Sequence, residues 1–119
     1  MKTPSNIRLS KDKKKLTVTF DDVEYPMSSE FLRVNSPSAE VQGHGPGQEV
    51  LQLNKQNVKI EKLKSIGNYA IAIHFSDSHS TGIYSWSYLQ HLAINHDQLW
   101  SEYCQKINNK QNNYQKVVI

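Results

Sequence analysis

Two stretches of period-two alternation, separated by a loop rich in turn residues, restrict this 119-residue chain more than any other feature. Ile7 and Leu9, then Leu16, Val18 and Phe20, then Val23 and Tyr25 put apolar side chains on one face, with Thr17 and Thr19 between them. Only a half-buried strand gives that period, so the N-terminal part is predicted to be a β-meander. Its turns fall at Ser10 to Lys15 and at Asp21-Asp22, and Pro26 is expected to end the third strand by removing a ladder donor. Val58 and Ile60 open another strand, with a phase shift near Leu63 to Ile66 that suggests a bulge, and Gly67-Asn68 forms a hairpin turn. In the strand that follows, Tyr69, Ile71, Ile73 and Phe75 share one face, and Ala70, Ala72 and His74 the other.

Helical signals are interleaved with these strands. Ser28 and Ser29 are good N-caps for a short helix through Val34, and Pro37 stops it. Ser85 caps a helix whose Trp86, Leu89, Leu92 and Ala93 share a face, and Asn95 or His96 starts a last helix with the apolar stripe Leu99, Trp100, Tyr103, Cys104 and Ile107. Segment 35–48 is read as a long irregular loop. The Asn/Lys/Gln tract beyond Asn108 has too little to bury and is expected to be disordered. The fold class is therefore α+β: an antiparallel sheet of about five or six strands with two or three helices packed on one side, as one domain over residues 1–107 and a disordered polar tail over 108–119.

Composition excludes several classes. Fourteen Lys plus Arg against eleven Asp plus Glu is a mild excess, and Lys11, Lys13, Lys14 and Lys15 read as a solvated hairpin tip rather than a nucleic-acid footprint. One cysteine, Cys104, allows no intrachain disulfide, and the polar N-terminus is no secretory leader, so the expected location is cytoplasmic. No apolar run reaches the roughly 18 to 20 residues that cross a bilayer.

The residues with chemical potential form no complete constellation. Gly43-His44-Gly45-Pro46-Gly47-Gln48 resembles a phosphate loop but has a proline in place of a donor, no following Lys-Ser or Lys-Thr and no preceding strand. None of His44, His74, His79, His91 and His96 has an acid two residues later, and His91 and His96 are not an i, i+4 pair. Cys104 sits on an apolar stripe, and Ser80 and Ser85 near His79 lack an orienting acid. Gly, His and aromatic residues are nevertheless concentrated in two places. We take Arg33, His44, Gly45, Gly47, Gln48, Asp77, His79, Ser80, Tyr84 and Trp86 as the candidate binding surface.

Four segments carry a resemblance: Phe31 to Pro37, Gly43 to Gln48, Gly67 to Ala70 and Asp77 to Trp86. Together they resemble the gamma-butyrobetaine-hydroxylase-like N-terminal domain family over about residues 6–94, and the small stand-alone bacterial form in particular. The resemblance implies three settings: the N-terminal part of 2-oxoglutarate-dependent carnitine-pathway hydroxylases, an appendage on P-loop carriers of iron-sulfur clusters, and the free-standing form. It further implies a structural zinc in the hydroxylases, held by three cysteines and one histidine, with the chemistry in a separate catalytic domain. The cysteine places fall here on Ser36, Ser38 and Val41, and the histidine place on His79. Serine and valine do not replace thiolate, so no zinc and no other cofactor is expected. The resulting expectation is a non-catalytic module with a protein partner, an accessory in iron-sulfur protein maturation, that is a monomer or weak homo-oligomer. The alternative is a small-molecule binder or modest enzyme using His44 and His79 as an acid-base pair.

Overall fold

The computed structural model describes residues 2–80 and 82–116. Six strands and four helices follow one another as β1 (Asn6–Leu9), β2 (Lys15–Phe20), β3 (Val23–Ser28), α1 (Ser29–Val34), α2 (Ala39–Gln42), β4 (Ile60–Ile66), β5 (Ala70–Phe75), β6 (Gly82–Ser85), α3 (Trp86–Ile94) and α4 (His96–Lys116). The class is α+β, as the alternation and caps required. The strands form two three-stranded antiparallel sheets, β1-β2-β3 and β4-β5-β6, rather than one continuous sheet. More than thirty residues, including α1 and α2, separate β3 from β4, and no ladder joins them.

The meander forms because its turns suit it. Asp21 and Asp22 take φ of 50° and 63°, the two left-handed residues of a tight hairpin turn, and aspartate tolerates that region better than most side chains. Pro26 does not end β3: it pairs with Thr17, and the strand runs on to Ser28. β3 is an edge strand, where a missing donor interrupts no ladder on the outer side. In the second sheet the bulge lies between Ile60 and Lys62, earlier than the sequence phase suggests, and Gly67 turns the chain with φ of 52°.

Helix α1 starts at Ser28, whose hydroxyl accepts from Phe31 N at 3.0 Å. Ser85 does the same for α3, accepting from Tyr88 N at 3.1 Å. Helix α3 packs against both β3 and β6 and so spans the two sheets, which share one core built on Leu16, Val18, Phe31, Ile60, Ile73, Phe75, Tyr84 and Leu89. Two bonds join the sheets at one end: Ile60 N donates to Lys13 O (2.8 Å) and the Ser29 hydroxyl to Val58 O (2.5 Å), while Ser29 N to Lys14 O (2.8 Å) extends the β2–β3 ladder.

Two sequence expectations change in detail. The irregular segment 35–48 contains the short helix α2. The polar tract beyond Asn108 continues α4 to Lys116, because nothing in it is a proline or glycine that would break the helix. The remainder of the expected tail, 117–119, lies outside the described residues.

Candidate functional site

The chemically notable residues meet where the end of α1, the start of α2 and the β5–β6 turn come together. Arg33, in the last turn of α1, is buried, and its Nε donates to Asp77 Oδ2 at 2.9 Å. Lys55 Nζ donates to the same oxygen at 2.7 Å, and the backbone N of His79 donates to Asp77 Oδ1 at 3.3 Å. Burial alone would raise the Asp77 pKa, but the Lys55 and Arg33 bonds outweigh it and hold the group at about 2. Asp77 is a firmly ionised clamp with no capacity as a neutral-pH base. Arg33 Nη1 is buried without a hydrogen-bond partner among the described residues.

Two residues on, His79 is buried, with 5% of its surface exposed. Its Nε2 lies 2.9 Å from Ser36 Oγ and 3.2 Å from Ser38 Oγ, and the two hydroxyls lie 3.3 Å from each other. Nδ1 faces Glu40 Oε2 at 3.3 Å, close enough for charge attraction but outside hydrogen-bond geometry. Burial lowers the His79 pKa, Arg33 adds to that, and Glu40 and Asp77 oppose it, so the neutral imidazole is favoured. Val41 is buried, as are Ser36 and Ser38. Gly82 completes the corner: a Cβ there would lie 2.7 Å from Ser36 Oγ and 3.0 Å from the Tyr84 ring. Only glycine lets β6 pass this close.

The sequence-predicted residues therefore divide into three groups. Arg33, Asp77 and His79 meet at the corner, the first and last buried and Asp77 at its exposed edge. Tyr84 and Trp86 are core residues, 0% and 7% exposed, and correct the reading of them as surface: Tyr84 Oη donates to Leu32 O at 2.5 Å and Trp86 Nε1 to Asn68 O at 2.8 Å. His44, Gly47, Gln48 and Ser80 are exposed, and Gly45 is half-buried. No hydrogen bond links His44 to His79, whose ring nitrogens face Ser36, Ser38 and Glu40.

Sequence reasoning missed Lys55 and Glu40. Lys55 reaches Asp77 across 22 residues, with no periodic pattern to announce it. Glu40 follows Ser38 by two, and its signal was present in the α2 cap sequence Ser38-Ala39-Glu40.

The fold and the corner together define a small α+β domain with a cluster of partly satisfied polar side chains where α1, α2 and the β5–β6 turn meet. The sequence model described as "Gamma-butyrobetaine hydroxylase-like, N-terminal" matches residues 7–90, and the chain belongs to that family. Among solved structures, two proteins determined by solution NMR are similar. One is 43% identical with a TM-score of 0.82, over 93% of this chain and 88% of that one. The other is 38% identical with a TM-score of 0.77, over 93% and 83%. A crystal structure of a protein of unknown function from Acidithiobacillus ferrooxidans ATCC 23270, placed in the DUF971 family, is 30% identical with a TM-score of 0.63, over 76% and 92%. No curated protein matches the chain.

The zinc that the family resemblance implies does not fit this corner. Of the four places, only His79 offers a zinc donor; the two serine hydroxyls are weak neutral ligands, and the Val41 side chain has no donor at all. Among the described residues, no group of three His, Cys, Asp or Glu is placed to hold a metal ion. The His79 nitrogen that would face the ion is instead within hydrogen-bond distance of both serines. No helix among the described residues is long and apolar enough to cross a membrane.

Proposed function

We propose that this chain is a non-catalytic protein-interaction module, accessory to iron-sulfur protein maturation. The observation that carries the first part is that the polar groups with catalytic potential are engaged inside the molecule. Asp77 is held ionised by Arg33 and Lys55, and His79 is buried against Ser36 and Ser38, so each is already engaged by side chains of its own chain. The second part rests on the family's association with carriers of iron-sulfur clusters, which is a relation of fold and fixes no role by itself.

The exposed turn His44 to Gln48 is the element this reading assigns to partner contact. It hangs from α2 through Gly43, whose N donates to Ala39 O at 2.9 Å, and it closes through Gln48 N on Gly45 O at 3.1 Å. Its side chains make no internal bond that a partner would have to break.

Affinity capture from cell extract tests the reading, with wild type and a His44→Ala/Gln48→Ala variant. Both substitutions are on exposed side chains, so the variant is expected to fold normally. Wild type is expected to retain cluster-carrier or cluster-scaffold proteins that the variant loses. Identical partner lists would remove the turn from the site, and an absence of iron-sulfur proteins from both lists would remove the maturation role.

A further inference from the structure

A well-formed concavity lies away from the His79 corner, between α4 and the segment 53–56. It has a volume of about 610 Å³, and its wall includes Glu30, Leu53, Trp100, Tyr103, Ile107 and Lys110. That volume is within the range of ordinary ligand sites, and an apolar lining with a few polar groups is their usual character. Trp100 and Tyr103 stand side by side, ring centroids 5.4 Å apart and planes 29° from parallel. The Tyr103 hydroxyl donates to Gln52 O at 2.7 Å and so fixes the segment against the helix.

Glu30 is what gives this groove a chemical preference. It is half-buried and makes no hydrogen bond or ion pair among the described residues. Burial is the one influence on its carboxyl and pushes its pKa up, as for a carboxylate that lacks a cation. The other charged residue of the wall, Lys110, is exposed, so water and salt screen it more than they screen Glu30.

A half-buried unpaired carboxylate beside two aromatic faces and apolar walls matches one common side chain closely. A guanidinium stacks on aromatic rings, pairs with a carboxylate through two parallel bonds, and carries an aliphatic stem that suits Leu53 and Ile107. An ammonium lacks the plane, and a neutral apolar side chain leaves the carboxylate unpaired. Arginine is also among the residues most enriched at protein interfaces.

We propose that this groove receives an arginine side chain from a partner protein, its guanidinium held between Glu30 and the Trp100 and Tyr103 rings. The proposal rests on the interaction-module reading for the nature of the ligand and adds a second contact surface to the exposed turn.

The test is an NMR titration of the protein with two short peptides, one with a single arginine between apolar residues and the other with neutral citrulline in its place. The arginine peptide is expected to shift the Trp100 indole N–H and the Leu53 amide saturably, with about tenfold tighter binding than the citrulline peptide. Glu30→Gln should remove that difference and leave the rest of the spectrum in place. Lys110→Gln, which removes a competing cation, should tighten the arginine peptide. Equal affinity for the two peptides, or shifts confined to other surfaces, would overturn the proposal. Failure of the peptides while captured partners still depend on the His44 turn would overturn the groove and leave the module reading standing. Specific peptide binding without any captured partner would do the reverse.

Discussion

His79 has its Nε2 against two buried hydroxyls and its ring against Phe75, with centroids 6.1 Å apart. Replacing it by alanine removes the shared partner of Ser36 and Ser38 and leaves a hole beside Phe75. Losing the partner of a buried polar group costs about 1–3 kcal/mol, so His79→Ala is expected to lose about 2–3 kcal/mol in urea denaturation. Glu40→Gln, at a side chain 67% exposed, should change stability by less than about 0.5 kcal/mol. The loss also has a pH signature. The folded state holds the His79 pKa below its ordinary 6.5, chiefly through burial, so the unfolded chain takes up the proton first as pH falls. Stability from this group is therefore complete above about pH 6.5 and declines as pH falls below it towards the folded-state pKa. The gap in stability between wild type and His79→Ala should narrow from about pH 7.5 to about pH 5. A constant gap would show that the imidazole is not held neutral by its surroundings.

At the scale of single elements, the turn after α2 makes a discriminating pair. Gly43 has φ of +74°, and a Cβ built on it would lie 2.1 Å from Gln48 O, a backbone atom that cannot swing aside. Gly45 has no such φ and nothing within 4 Å of its Cβ position. Gly43→Ala is expected to cost at least about 1–3 kcal/mol, the range for strained backbone, and to displace the turn, while Gly45→Ala should stay within about 0.5 kcal/mol of wild type. Thermal unfolding of the two variants checks this directly. The same elements show where the sequence was legible. Alternation and serine caps announce themselves locally, so β2, β5, α1 and α3 could be read before any coordinates. The pairing of Arg33 with Asp77 joins residues 44 apart, and Tyr84 meets Leu32 O across 52, distances over which no local period operates. Pro26 misled because its effect depends on whether the strand lies at an edge, which is a property of the sheet. The burial of Tyr84 and Trp86 was likewise a matter of which sheet face α3 covers. Residue types pointed to Arg33, Asp77 and His79 together, but only the fold reveals that Arg33 and His79 are buried and that Asp77 is tied to Arg33 from the exposed edge.

For the molecule as a whole, the question is what holds the corner where α1, α2 and the β5–β6 turn meet, at the places where the resemblance implies zinc ligands. Ser36 Oγ and Ser38 Oγ lie 2.9 and 3.2 Å from His79 Nε2, and 3.3 Å from each other. Zinc bonds of about 2.3 Å to sulfur and about 2.0 Å to nitrogen, set tetrahedrally, would separate these atoms by roughly 3.5–3.8 Å. The three atoms thus lie somewhat closer together than zinc-bound sulfur and nitrogen would, and hydrogen bonds rather than an ion join them. Two outcomes follow for the intact protein. Chelator is expected to leave the wild-type unfolding temperature unchanged, since one imidazole and two neutral hydroxyls are a weak donor set for zinc. A Ser36→Cys/Ser38→Cys/Val41→Cys variant should bind close to one zinc per chain by elemental analysis, with His79 as the fourth ligand. Because only the folded chain brings all four together, binding should raise the unfolding temperature of that variant in proportion to the logarithm of free zinc in excess of its Kd. The further change His79→Ala should abolish both effects, which separates a tetrahedral site from adventitious thiol binding. Zinc bound tightly by wild type, or a triple variant indifferent to zinc, would show that the corner is not a metal site rebuilt from hydrogen bonds.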